Sequence, residues 1–360
     1  TGIQLKSAYP SIVWESLKEN GQIYGVLTPY TDFKYYAVFN MDYAEKYEVS
    51  VSDITFTDMG AILQKVKNGE EGNTSFVVST TWPYHLAGQS EYTLCSLIGI
   101  NTENETPVAE NILCNDTYLK QIECLNNWGA EGFFPDADMD YWKQVADGNF
   151  FVTGIYSYSE TAAENYCRNN LKISPEFELQ AVEMPEFENV FYGNGAKTGV
   201  NAKSQNKEEA ISALAEIYSD ADLSDALIYG KEGEDYIVED GLITRMEDQE
   251  ILGLLAKETL GNSFITSPEN TDSKSKRDEL WETVENLKPS KQMGFKYDLS
   301  EIHVKISELN QLFEEKYHEC FYGNSKDWNI DLARLRDEAG SLGIDEVVSE
   351  MNNQLEKNRK

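Results

Sequence analysis

The tightest constraint in this chain is the stretch Leu227–Tyr236, LIYGKEGEDY, because the residues on either side of it encode a local fold that composition does not explain. From about Asn206, Ile211, Leu214, Ala215, Ile217 and Tyr218 recur at helical spacing, with Glu208 and Glu209 in the first turn, where the helix dipole favours acids. A second short helix, Leu223 to Tyr229, is stopped by Gly230 as a C-cap glycine would stop it. Beyond it, Tyr236-Ile237-Val238 and Leu242-Ile243-Thr244 flank Asp240-Gly241, which predicts a β-hairpin whose turn needs positive φ.

Composition bounds what surrounds this program. The 360 residues allow one large domain or a few ordinary ones, and 41% hydrophobic with 12% aromatic content is ample for a core. Because the apolar residues are spread along the length, the net charge of -33 does not mark a disordered acidic tail. So negative a field disfavours nucleic acid and anionic membranes, which both call for Lys and Arg. It reads as a solvated secreted surface, with capture of a cation or cationic ligand as the alternative. No apolar run reaches the roughly 18 residues a membrane span needs. Cys95, Cys114, Cys124, Cys167 and Cys320 are odd in number and lack CxxC spacing, so free, partly buried thiols are expected, with a Cys114–Cys124 bridge as the alternative.

Several stretches carry candidate chemistry. A short strand at Phe76–Ser79 runs into Trp82-Pro83-Tyr84, where flat rings at a strand end can stack on the C–H faces of sugars; plugging the edge of the core is the structural alternative. A strand from Asn149 to Ile155 is followed by Tyr156-Ser157-Tyr158-Ser159 and a helix from Glu160, which offers a stacking surface beside free backbone N–H donors. Tyr192 and Asn194, in the glycine-rich turn Phe191–Gly195, are ligand contacts or parts of a structural turn. The spacing Asp136-x-Asp138-x-Asp140 invites a calcium loop, but Tyr141 stands where the sharp turn wants Gly and Asp147 where a bidentate Glu is needed, so an acid-rich helix start is the reading and no metal is assigned. The polar stretch Ser267 to Ser275 reads as a mobile surface loop, and three stretches beyond it read as amphipathic helices that pack without chemistry: one with Trp281, Val284 and Leu287, a long one from Ile302 to Tyr317, and Asp345 to Asn358 with Val347, Val348, Met351 and Leu355 on its inner side.

Catalytic signatures are missing: there is no G-x-S-x-G elbow and no H-E-x-x-H, and His85, His303 and His318 form no metal pair. No cofactor is implied. An extracellular glycoside hydrolase using a carboxylate pair, with Glu232 and Glu234 as first suspects, and a non-catalytic surface scaffold or adhesion protein are the alternatives to a binding protein.

The order of these elements resembles extracytoplasmic solute-binding proteins of ABC importers, in the carbohydrate-type, family 1-like group with an extra helical C-terminal domain. Gly21-Gln22-Ile23-Tyr24-Gly25-Val26 is similar to that group's strand entering the hinge, and Asn40-Met41-Asp42-Tyr43 to the strand-to-helix turn beyond it. Trp128–Phe133, Asp147–Val152, Gly199–Ala210, Gly261–Phe264, Gly294–Tyr297 and Leu342–Val347 follow in the group's order. The resemblance implies an α/β, periplasmic-binding-protein-like two-lobe fold of type II with an additional helical C-terminal segment. It divides the chain into 1–30, the remainder of lobe one and the approach to the hinge; 31–155, lobe two; 156–265, the return crossing, the remainder of the α/β lobes and the helix-hairpin element; and 266–360, the helical C-terminal domain. It also implies that the opening strands of lobe one, a signal peptide and a lipid-anchor cysteine precede this sequence. Tyr30 and Asp32 would face the cleft, the alternative being an ordinary proline turn. The implied function is that of a monomeric, non-enzymatic, lipid-anchored extracellular receptor that closes on a mono- or oligosaccharide by hinge bending and delivers it to a membrane permease.

Overall fold

The computed structural model describes residues 2–19, 21–29, 34–52, 54–70, 90–91, 94–101, 106–134, 141–185, 187, 190–191, 193, 195–246, 260–293, 295–316, 320 and 325–357. Its contacts divide the chain into two compact units, one made of Thr1–Lys34, Tyr156–Asn170 and Asn189–Gly294, the other of Tyr35–Ile155, Leu171–Glu188 and Phe295–Lys360.

The second unit is organised by the strand Lys34–Asn40, which lies between Val152–Ser157 and Leu179–Glu183 in a three-stranded sheet. Its residues from Tyr35 to Asn40 are all buried, as a strand covered on both faces requires. Asn40 ends it: its Nδ2 donates to the Gly148 carbonyl at 3.0 Å, and its Oδ1 accepts the Asp42 N–H at 3.2 Å, starting the helix Met41–Lys46. A second sheet orders Ser90–Glu91, Ile98–Asn101 and Val108–Asn111 antiparallel. The helices Met59–Gly69, Asp116–Ala130, His303–Lys316, Trp328–Ser341 and Ile344–Lys357 join these sheets in one apolar core.

Side-chain amides fasten the carboxy-terminal helices to that unit. Asn352 accepts the Ala109 N–H at 2.8 Å and donates to the Ala109 carbonyl at 2.9 Å, and Asn310 does the same for Ser96 N–H and the Leu94 carbonyl at 2.8 and 3.0 Å. Arg336 donates twice to the Leu113 carbonyl, at 3.0 and 2.7 Å.

In the first unit Val26–Pro29 pairs antiparallel with Gly195–Thr198. Glycine is required where this pair closes: a Cβ on Gly25 would stand 2.7 Å from the Thr198 carbonyl oxygen, and one on Gly199 would stand 2.7 Å from that of Tyr24. The helices Ser11–Ser16, Lys207–Ser219 and Lys276–Asn286 contribute Val13, Tyr218, Leu280 and Val284 to a core shared with Tyr158, Phe191 and Phe264. Fully buried Asn262 ties three segments together, donating to the carbonyls of Ala8 and Tyr218 at 3.0 Å each and accepting the Phe264 N–H at 3.1 Å.

The anchor motif folds as its residues predict. The helix Ala221–Tyr229 ends at Gly230 with φ 86°, and the hairpin Tyr236–Glu239/Leu242–Arg245 turns through Asp240 and Gly241 at φ 52° and 80°. Elsewhere the structure differs from expectation. The register of Tyr118, Ile122 and Leu125 predicts a helix over 110–128, but it starts at Asp116, because Asn115 caps it by accepting the Tyr118 N–H at 2.9 Å, while Val108–Asn111 is a strand. The strand before Tyr156 runs from Val152 to Ser157. Residues 267–275 are not a mobile surface loop: Glu269, Asp272 and Ser273 are buried, and the segment bonds to its neighbours throughout. Residues 266–294 pack with the first unit and 295–360 with the second, so the tail grouped as one domain divides between two cores. All five cysteines are free thiols.

Candidate functional site

Two of the eight expected ligand contacts are described, and the structure separates them. Tyr30, Asp32, Trp82, Tyr84, Tyr192 and Asn194 lie outside the described residues, as do Asp136, Asp138 and Asp140. Tyr156 is 43% exposed and Tyr158 is 3% exposed. Alternation along the strand sends Ile155 and Ser157 inward and Tyr156 outward. Tyr158 follows the strand's end and turns into the core of the first unit, so the expectation that its ring offers a stacking face is corrected.

Polar groups hold Tyr158 there. Its hydroxyl donates to Asp272 Oδ1 at 3.2 Å and accepts the Ser273 N–H at 3.1 Å, and its carbonyl accepts from Thr283 Oγ1 at 3.0 Å. Burial, and next the Asp272 carboxylate, push the phenol's pKa well above its ordinary value, so it remains a hydroxyl. Asp272 Oδ2 pairs with Lys276 Nζ at 2.9 Å and accepts the Glu269 N–H at 2.8 Å. Asn165 and Asn169 donate to the carbonyls of Asp272 and Asn270 at 2.7 and 2.5 Å, which ties the helix Glu160–Asn169 to the same segment. Sequence reasoning missed this buried polar segment; the acid and lysine four residues apart, Asp272 and Lys276, were its visible signal.

Tyr156 therefore stands on a supported turn. Ser159 caps the following helix, accepting the Ala162 N–H at 3.2 Å, while its carbonyl accepts the Ala163 N–H. The amides of Glu160 and Thr161, on exposed residues, have no acceptor within the helix. In the same unit Pro29 is the register partner of Gly195, and Gly193, at φ 68°, lies so close to Ser16 that an added Cβ would be 2.3 Å from its Oγ. The described flanks of the Tyr30–Asp32 and Tyr192–Asn194 segments are thus fixed within that unit.

This is the fold of solute-binding proteins. Over its whole length the chain is similar to the N-glycan transport solute binding protein NgtS from Streptococcus pneumoniae, with a TM-score of 0.74 at 17% identity over 81% of that chain. The structure of NgtS in complex with Man5GlcNAc gives a TM-score of 0.67 at 17% identity, again over all of this chain and 81% of that one. An extracellular solute-binding protein from Bifidobacterium longum subsp. infantis matches 99% of this chain and 82% of its own, with a TM-score of 0.58 at 14% identity. A family model described as a domain of unknown function (DUF3502) matches residues 291–360. No curated protein sequence matches the chain.

Proposed function

We propose that the chain is the substrate-binding component of an ABC importer, that it takes a carbohydrate ligand without acting on it chemically, and that it hands the ligand to a membrane permease. The observation that carries this reading is similarity along the whole chain to solute-binding proteins, among them one solved with Man5GlcNAc. Tyr156 supplies a stacking face for a sugar ring, and the capped helix start beside it supplies backbone donors for hydroxyls. Tyr30, Asp32, Trp82, Tyr84, Tyr192 and Asn194 complete the proposed contact set. The protein works outside the cytoplasmic membrane, held there by a lipid anchor; among the described residues no helix is long and apolar enough to cross a membrane.

A thermal-shift series with mono- and oligosaccharides, with products followed by chromatography, tests this. Binding to the folded state alone at a hundred times Kd stabilises by about 2.7 kcal/mol, so the ligand raises the melting temperature by several degrees. Tyr156→Ala weakens that ligand about tenfold, some 1.4 kcal/mol. The reading is wrong if no saccharide shifts the melt, and wrong as to chemistry if sugar is cleaved.

A further inference from the structure

The carbohydrate reading makes no use of the hairpin Tyr236–Arg245, the most heavily specified local structure in the first unit. Its inner strand is held at several points. Ile243 is buried with Ile228 and Tyr229, its N–H donates to the Pro268 carbonyl, and its own carbonyl accepts the Asn270 N–H, both at 2.8 Å. Arg245 pairs with Glu269 at 3.2 Å, lies 4.9 Å over the Tyr229 ring and donates to the Ile228 carbonyl.

The outer strand has the opposite character. Ile237 and Val238 are 36% and 48% exposed. Val238 is the register partner of Ile243, whose N–H and C=O both point away from the hairpin, so those of Val238 also point outward, along an edge. Five acids accompany this apolar edge between residues 231 and 245, against two cations, Lys231 and Arg245. Lys231 is paired with Glu234 and Arg245 with Glu269, and Asp235 turns back to accept the Lys231 N–H, which leaves Glu232, Glu239 and Asp240 to set the outward field. A second copy docked about a two-fold axis would bring those same acids face to face. A surface with an apolar centre inside a ring of Lys and Arg is the complementary partner.

We propose that this hairpin is the knob by which the protein docks on the extracellular face of its membrane permease, with Ile237 and Val238 seated in an apolar recess rimmed by basic residues. The proposal rests on the importer reading. Its test is capture of the whole chain by the permease reconstituted in lipid nanodiscs, comparing the wild type with Glu232→Lys/Glu239→Lys and with Val238→Ser; none of these residues belongs to the hairpin root or to the ligand contacts. Both variants weaken capture about tenfold or more, and the charge variant also flattens its salt dependence. Equal capture of all three proteins overturns the proposal, as does failure of the wild type to bind. A wild-type dimer in light scattering that Val238→Ser abolishes also overturns it, by making a second copy the occupant. The saccharide thermal shift, run on the same proteins, is unchanged by the variants; its absence from the wild type would refute the carbohydrate ligand and leave the docking result standing.

Discussion

Tyr156 and Tyr158 differ in role because of what lies behind the second. The Tyr158 hydroxyl completes a buried network in which Asp272 meets a phenol, a backbone N–H and the ammonium of Lys276, itself 2% exposed. Tyr158→Phe leaves Asp272 Oδ1 short of a donor and the Ser273 N–H without its acceptor, a loss of about 1–3 kcal/mol. Lys276→Met leaves a buried carboxylate uncompensated and costs more, about 3–5 kcal/mol. Adding Asp272→Leu does not restore stability, because Asp272 also serves Tyr158 and the Glu269 N–H. Urea melts check the order, and a Lys276→Met loss smaller than that of Tyr158→Phe would refute it. The sequence shows two tyrosines after a strand but not which one turns inward. That is decided by a segment more than a hundred residues further on, whose Ser, Asn and Asp content reads as solvated loop until its side chains are seen bonding to one another.

At the level of elements, the carboxy-terminal helices act on the edge of a sheet. Val108–Asn111 is the outer strand of its sheet, and an uncovered edge of this kind offers unpaired amides to any other chain. The Ile344–Lys357 helix lies against it, and the Asn352 side chain meets both backbone groups of Ala109 as a neighbouring strand would. Asn352→Leu keeps the volume but deprives both groups of their partner, and the cost is about 1–3 kcal/mol for each group left buried and unbonded. Hydrogen exchange at the Ala109 amide then speeds up ahead of the strand's other amides; unchanged exchange at Ala109 would show that the clamp carries no energy. Periodicity places this helix well: of the four residues expected on its inner side, Val347, Met351 and Leu355 are buried and Val348 is half-buried. By contrast, the helix Trp328–Ser341 is not anticipated, although Asp327 caps it and Leu332, Leu335 and Ala339 form its inner face. Nor can periodicity reveal that an asparagine on a helix replaces a strand, because that depends on register across more than two hundred residues.

The whole molecule carries 63 acidic residues and 30 Lys and Arg, so even complete one-to-one pairing would leave 63 − 30 = 33 carboxylates without a cation. Folding brings these charges closer together than the unfolded chain does, and the folded state bears most of the repulsion. Added salt acts in two opposed ways. It screens that repulsion, because the Debye length falls from about 30 Å at 0.01 M to about 10 Å at 0.1 M, and it also weakens exposed ion pairs such as Lys18–Glu15. The second effect is small, since exposed pairs contribute about 0–1 kcal/mol each and cations are outnumbered two to one. Repulsion among the surplus acids reaches across the surface and is the larger sum. Raising sodium chloride from 0.01 to 0.15 M therefore increases the melting temperature by a few degrees, and potassium chloride does the same because screening does not depend on the cation's identity. A calorimetric melt that stays flat or falls over this range would show that local ion pairs, not net charge, dominate the electrostatics of the fold.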